Sequence, residues 1–584
     1  MRFGAQVTRD GVRFRLWAPA AKRVELVLDR ALPMQPLPEG WHEHAVADAH
    51  AGTRYRFRID GEVAVPDPAS AFQPEDVSGP SEVIDHDRYD WKAPDWRGRP
   101  WHETAILELH IGTFTPQGTF RAAIEKLDHV AETGLTAIEL MPIADFPGRW
   151  NWGYDGVLLY APDSSYGRPE DLKALVDEAH RRGLMVFLDV VYNHFGPEGN
   201  YLARYAPQFF VAAHTPWGQA IDYANPQVRA FAIGNALHWL SHYRFDGLRL
   251  DAVHALAEPS GSLLLKELSV AVGDLAATSG RALHLMLEND DNRPGLLDPQ
   301  ADPPNGRYRA QWNDDYHHAW HLLLTGERQG YYRDYADDPR RHLARVLASG
   351  FAYQGEVSAH RGGRARGEAS GALPPAAFID FLQNHDQIGN RPRGERLSAL
   401  TDSDALAAAL AVTLLAPMPP LLFMGEEWGS KRPFPFFCDF HGELADAVRK
   451  GRREEFKAAY EADGEDIPDP LDRSTFQLAK LDWGSCASPQ GQQRLELIRG
   501  LLRTRAKVIV PRLAGAKFGS AQWHDQVLMA DWRLGNGSKL CLVANLSPGA
   551  SPRPPGMRSV TPIWGGTCGE MLPPWSVLWG LRAP

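Results

Sequence analysis

Near the N-terminus apolar and polar positions alternate one by one. Val12, Phe14 and Leu16 are separated by Arg13 and Arg15, and Tyr55, Phe57 and Ile59 by Arg56 and Arg58 before an Asp60-Gly61 turn. A period of two sends successive side chains to opposite faces of a strand, so these segments predict half-buried antiparallel strands. Residues 1–97 are therefore expected to form a β-sandwich, followed by a linker rich in Pro, Trp and Asp between Asp85 and Trp101.

From about Thr104 the rhythm becomes short apolar runs followed by helical patterns. AILEL at Ala105 precedes a helix carrying Ile124, Leu127 and Val130 on one face and ended by Gly134, and TAIEL at Thr136 follows. Pro169 opens a helix stopped by Gly183, after which LMVFLDVV reads as a fully buried strand. Further runs at Gly247–Asp251, Leu283–Glu288, Ala310–Trp312, Ala377–Phe381 and Leu421–Met424 bring the count to eight. Eight strands in βαβ rhythm predict an α/β fold, a (β/α)8 TIM barrel over residues 98–506. An open doubly wound sheet is the alternative, but no Gly-rich nucleotide fingerprint follows the first strand. The interval Phe195–Asn225 is long for a βα loop and is expected to cross the active face, and the basic, Gly-rich stretch Arg361–Gly371 is expected to be a solvated, mobile loop. Short strands return in residues 507–584 (VLMADW at Val527, LCLVANL at Leu540, SVLWG at Ser576), which predicts a C-terminal β-sandwich.

A chain of 584 residues with 44% hydrophobic and 23% charged residues has an ordinary soluble composition and room for several domains. The formal net charge of −11 argues against nucleic-acid and anionic-membrane partners and suits a neutral substrate. Cys438, Cys486, Cys541 and Cys568 have neither zinc-like spacing nor the density of a disulfide framework. With no apolar leader at the N-terminus, the expected location is the cytoplasm.

Three of the predicted strands end on a carboxylate: FDGLRLDAVH on Asp251, LHLMLEND on Glu288, and FIDFLQNHDQIGN on Asp386. Any one alone reads as an ordinary strand-end acid, but three converging at one end of a barrel point to glycoside hydrolysis, which needs one protonated and one ionised carboxyl group. Arg249 shares a strand face with Asp251 and favours its ionised form, whereas the apolar run before Glu288 predicts a raised pKa suited to a general acid.

DVVYNH at Asp189, GLRLDAVH at Gly247, LEND at Leu287 and QNHDQ at Gln383 resemble, in order, the four signature regions of the α-amylase-type glycoside hydrolases. MPIADFPGRWNWGYDGV, VYNHFGPEGNYL, QWNDDYHHAW and FLQNHDQIGNR, with the late FHGELADAVRKGRREEF and IPDPLDRSTFQLAKLDW, further resemble the malto-oligosyltrehalose trehalohydrolases. The resemblance implies cleavage of the α-1,4 bond next to a terminal trehalose. Asp251 would be the nucleophile, Glu288 the acid/base and Asp386 the transition-state stabiliser. Around them Tyr154, Trp152, His194, Arg249, Leu250, Ala252, Val253, His254 and His385 would face substrate. The stretches Asn313, Asp314, Asp315, Tyr316, His317 and His318, and Gln387, Ile388, Gly389 and Asn390, would contact sugar beyond the cleavage point. Trp150 is a further candidate for stacking on sugar. The mixed Asp and His residues of Asn313–His318 are read as hydrogen-bonding to sugar rather than holding metal. No metal or cofactor is implied, although Asn193 occupies a position that ligates calcium in many α-amylases. The implied partner is a malto-oligosyltrehalose or other α-glucan, with a pathway link to a malto-oligosyltrehalose synthase. Glycogen-branching enzymes are the competing relatives, but their third region places a second acid where this chain has Asn289. A non-catalytic α-glucan-binding protein is the alternative of another class.

Overall fold

The computed structural model describes residues 3–215, 217–298, 308–457, 467–555, 560–567 and 569–584; Cys568 lies outside them. The eight expected runs form eight strands: β1 (Ile106–Leu109), β2 (Ala137–Leu140), β3 (Met185–Val190), β4 (Gly247–Leu250), β5 (His284–Leu287), β6 (Ala310–Trp312), β7 (Phe378–Ile379) and β8 (Leu421–Phe423). Each of β1 to β6 pairs in parallel with its successor in the chain, β8 pairs with β1, and a parallel bridge from Asp380 to Pro420 joins β7 to β8, so the sheet is closed.

Closure forces alternate side chains inward. Ile106, Ala137, Met185, Phe187, Met286, Ala310, Trp312, Ile379, Phe381 and Leu421 fill the interior as one apolar cluster, with Trp96 and Trp101 packed against it. Two residues further along the same faces, the period of two delivers Glu108, Glu139, Asp189 and Arg249, all buried. Acids on β1 to β3 thus share one layer with an arginine on β4. The helix opened by Pro169 runs over Pro169–Arg181, and Gly183 after it adopts a left-handed φ of 73°.

The N-terminal region is a two-sheet sandwich. Gly4–Thr8, Gly11–Trp17, Trp41–Val46 and Gln35–Leu37 form one antiparallel sheet, and Ala31–Pro33, Val24–Val27, Arg54–Ile59 and Val63–Val65 the other, to which Ser81–Glu82 adds. Its aromatic residues also bind it to the barrel: Trp17 meets Phe209 edge-on at 5.5 Å, and Phe3 meets Phe231 at 5.2 Å. At the C-terminus the strands run in the order Lys517–His524, Val527–Arg533, Lys539–Asn545, Val577–Arg582 and Thr561–Trp564. Among the described residues the second layer of this sandwich is a two-stranded ribbon, Ser551–Pro552 with Met571–Leu572, whose Leu572 packs on Val527 and Val543. On the other face Trp532 and Trp579 stack at 5.6 Å and donate their indole N–H groups to the backbone of barrel helices, at Leu347 O (2.9 Å) and Ala411 O (3.0 Å).

Asp246, just before β4, fastens the end of the barrel opposite the strand-end acids. Its buried carboxylate pairs with His180 Nε2 (2.9 Å) and accepts from Val186 N (2.9 Å), the linker's Trp96 Nε1 (2.8 Å) and Arg281 Nη2 (3.4 Å). Burial pushes its pKa up, but the charge and hydrogen bond of His180, with Arg281, hold it below the usual range. Asp246→Ala leaves these donors unsatisfied and is expected to cost about 3–5 kcal/mol of stability, measured as a lower urea midpoint with an unchanged m-value.

Candidate active site

Parallel register sets the carboxylates in place. Asp251 N donates to Val190 O and Glu288 N to Leu250 O, both at 3.0 Å, so each acid is held by the preceding strand. Between them Ala252 takes a left-handed φ of 39°, and its N–H reaches Glu288 Oε2 at 2.8 Å. Arg249 is the centre of the group. Its Nη1 donates to Asp189 Oδ2 and Asp251 Oδ1, each at 2.7 Å, its Nη2 to Glu288 Oε2 at 2.8 Å, and its guanidinium lies 4.0 Å from the centre of the Trp312 ring. A fully buried guanidinium is tolerable only with such partners. Asn193 Nδ2 binds Asp251 Oδ2 at 2.8 Å, so this amide supports the carboxylate directly. Tyr154 donates its hydroxyl to Asp189 at 2.6 Å, and its ring stacks on His385 at 5.1 Å.

The acids are driven apart electrostatically. Burial pushes Glu288 well above the usual carboxyl range; Asp251, Asp386 and Asp314 add to this, and Arg249 opposes it without prevailing. For Asp386 burial again pushes upward, but the charge and hydrogen bond of His385 win and its pKa falls below the usual value. His385 remains protonated well above its ordinary range despite burial, because Asp386 and Glu108 flank it. Glu108 holds that imidazolium from β1: Oε1 lies 2.5 Å from Nδ1, and Oε2 accepts the His385 backbone N–H at 3.1 Å. Asp189 is pushed up to about 6 by burial, against Arg249. Glu139 rises well above the usual range through burial and the acids Asp189 and Glu108, and among the described residues neither of its oxygens has a hydrogen-bond partner.

These groups open into a cleft of about 610 Å³. Of the residues singled out in the sequence, Trp152, Tyr154, His194, Asp251, Ala252, His254, Glu288, Asp314, His318, Asp386, Gln387 and Asn390 line it. Arg249 and His385 lie directly behind the carboxylates, fully buried. The others point elsewhere. Leu250 and Val253 belong to the apolar core: Leu250 alternates with Arg249 and Asp251 along the strand, and Val253 packs inward from the short 3-10 turn Val253–Ala255 that follows it. Asn313 donates to Gly350 O and Asp380, Tyr316 OH pairs with Thr413, and His317 is held between Leu382 O and the Tyr332 hydroxyl. Asp315 accepts from Asn292, Tyr335 and the Ala352 and Tyr353 amides. Helical periodicity explains the split, because only Asp314 and His318, four apart, face the cleft. Ile388 is core, and Gly389 gives way to Trp152, whose ring would lie 1.8 Å from an added Cβ. Trp150 stacks on Phe476 instead of lining the cleft.

The stretch Arg361–Gly371 departs from expectation. Strands Glu356–Ser358 and Arg364–Arg366 form a hairpin whose arginines reach into the site. Arg361 pairs with Asp290 and Asp291, and buried Arg366 with Asp290 (2.8 Å) and Asp315 (3.0 Å). Asp290, Asp291 and Asp315 thus neutralise Arg361 and Arg366. The expected excursion after Phe195 is a hairpin, Phe210–Thr215 with Gly218–Ile221, beside which Trp217 stacks on His194 at 5.7 Å. Sequence reasoning passed over Glu108, Glu139 and Asp189 as site residues. Their signal was a carboxylate within each of three otherwise apolar strands.

Similarity to known proteins follows the same division of the chain. Residues 96–207 match the alpha amylase catalytic domain, residues 2–71 carbohydrate-binding module 48 (isoamylase N-terminal domain), and residues 518–579 a domain of unknown function, DUF3459. A malto-oligosyltrehalose trehalohydrolase of Deinococcus radiodurans is 44% identical over 85% of this chain and 81% of its own. The Saccharolobus solfataricus enzyme of that name is 41% identical over 83% of this chain and 84% of its own. A crystal structure described as a putative alpha amylase from Salmonella typhimurium superposes with a TM-score of 0.94 at 45% identity, covering 100% of this chain and 99% of that one. A branching enzyme of Photobacterium profundum, by contrast, aligns with only 42% of this chain. With such identity sustained over more than four-fifths of its length, the chain belongs to the malto-oligosyltrehalose trehalohydrolase family of α-amylase-type glycoside hydrolases.

Proposed function

We propose that the chain hydrolyses the α-1,4-glucosidic bond next to the terminal trehalose of malto-oligosyltrehalose, releasing trehalose, with Asp251 as nucleophile, Glu288 as acid/base and Asp386 as transition-state stabiliser. The observation that carries this reading is the shared Arg249 guanidinium, which holds Asp251 and Glu288 in one hydrogen-bonded frame while burial keeps the second protonated. Glu288 Oε2 accepts both Arg249 and the Ala252 amide, which leaves Oε1 to carry the proton to the glycosidic oxygen. As that bond breaks, Asp251 attacks the anomeric carbon and forms a glycosyl ester, and trehalose leaves with the proton. Water then gives its proton to Glu288 and attacks the same carbon, freeing Asp251. Asp386, ionised beside protonated His385, faces the positive charge that develops on the sugar ring.

A branching transferase, in which a sugar hydroxyl replaces that water, is the second reading; the partial alignment with such an enzyme favours it less. The proposed boundaries are residues 1–97, 98–506 and 507–584, and the proposed location is the cytoplasm. No described helix is long and apolar enough to cross a membrane.

Glu288→Gln is expected to lower kcat by about 10²–10⁴-fold with an unchanged circular dichroism spectrum. In the parent protein kcat/KM falls as pH rises past the elevated Glu288 pKa, because the acid must be protonated; the variant loses that alkaline limb. Proton NMR at early times should show the new reducing end as the α-anomer, as double displacement requires; the β-anomer first would remove Asp251 from its role. Malto-oligosyltrehalose should be cut by orders of magnitude faster than a malto-oligosaccharide of equal length, since a site that hydrogen-bonds one arrangement of hydroxyls leaves groups unpaired with the other. Equal rates, or α-1,6 branches appearing in amylose, would replace this reading with a general amylase or a branching enzyme.

A further inference from the structure

One bank of the cleft comes from outside the barrel strands and their signature motifs. The helix Gly442–Glu455, after β8, carries Arg452 and Glu455 to the rim, where they line the cleft with Phe436 and Asn390. Arg452 lies over the Phe436 ring at 4.4 Å and over Phe456 at 5.4 Å. Its Nη1 donates to Glu455 Oε2 at 2.9 Å and to Asn390 Oδ1 at 3.2 Å. Phe436 in turn meets Trp152 edge-on at 5.2 Å, and Trp152 meets His385 at 5.4 Å. An aromatic path therefore runs from behind Asp386 outward to a bank of planar polar groups. Such a bank suits a pyranose, whose C–H face packs on a ring while its edge hydroxyls bond to guanidinium, amide and carboxylate. Both Arg452 bonds to described residues use Nη1, and among the described residues Nη2 and Nε of the fork remain for hydroxyls.

Its position relative to the two catalytic acids gives the polarity. Arg452 is bonded to Asn390, which ends the short helix carrying Asp386, and its charge acts on Asp386. Glu288 instead adjoins Val253 through its backbone, and the next positions, His254 and Asp290, lead to Arg361 and Arg366 on the other bank. The leaving group lies on the side of the acid that protonates it. The chain retained on the nucleophile therefore extends along the opposite bank.

We infer that Phe436, Asn390, Arg452 and Glu455 form a binding site for the glucan chain on the non-trehalose side of the scissile bond, which puts Asn390 on the side opposite to that expected from the sequence, and that Arg452 sets how strongly chain length raises turnover. This rests on the trehalohydrolase reading. The test is kcat/KM of the full-length protein and of Arg452→Ala on oligosyltrehaloses bearing one to four glucose units beyond trehalose. In the parent protein kcat/KM should rise with each of the first added units. In the variant the long-to-short ratio should fall about tenfold, the loss expected for a hydrogen bond to a charged group, and Arg452→Lys, which keeps the charge but not the planar fork, should fall between. Should Arg452→Ala not fold, Glu455→Ala, at a partly exposed position, reads the same ratio. An unchanged ratio overturns the inference. So does a loss seen instead in the preference for oligosyltrehalose over plain malto-oligosaccharide, because that would assign this bank to the trehalose side. If the parent protein releases no trehalose from any of these substrates, the trehalohydrolase reading itself fails.

Discussion

A single buried cation organises the catalytic end of this barrel. Arg249 has no solvent to satisfy it, so its charge is met by Asp189, Asp251 and Glu288 together and by the Trp312 ring beneath. Three strands, β3, β4 and β5, thereby have their relative heights fixed by one planar group, and the acids that end two of them cannot drift apart. The arrangement also limits how much negative charge the layer can hold. Arg249 and protonated His385 are two cations among Glu108, Glu139, Asp189, Asp251, Glu288 and Asp386, so burial and like charges drive protons onto Glu139 and, despite its bond to Arg249, onto Glu288. Keeping Glu288 protonated is then a property of the whole layer as much as of the apolar run before it.

The second constraint is that the two ends of the barrel are held by different means. Asp246 collects donors from β3, from the helix before it, from the linker and from Arg281 at the closed end. At the open end the polar groups are spent on substrate-facing geometry. This separation lets stability and chemistry reside at opposite ends of the same strand, in Asp246 before β4 and Asp251 after it.

Much of this was legible in the sequence because closed parallel strands leave a plain trace: short, mostly apolar runs followed by helical patterns. All eight runs became strands, and the alternation of Val12, Phe14 and Leu16 became a buried sheet face. Asp251 and Glu288 were legible for the same reason, since a carboxylate directly after a buried strand stands out against it; Asp386, expected at a strand end, sits instead in the short helix His385–Gly389 beyond β7. What was not legible depended on contacts distant in sequence. Nothing local distinguishes Asp314 from Asp315, yet one faces the cleft and the other is consumed by Tyr335 and the Ala352 amide. The Arg361–Gly371 run looks solvated until Asp290 and Asp315 are brought beside it. Glu108 looked like one charge in an apolar strand, and its purpose depends on a histidine far along the chain.

That distance has a consequence for how the protein becomes active during synthesis. Glu108 and His385 are 277 residues apart, and between them lie six of the remaining barrel strands. The first signature regions emerge from the ribosome early, but an imidazolium beside Asp386 needs both the first strand and the segment after the seventh. No nascent fragment that stops short of the fourth region can assemble this charge pattern, and the loop-closure entropy of joining such distant segments must be met first. This charge pattern therefore arrives late and all at once, as a report that the ring of strands has closed.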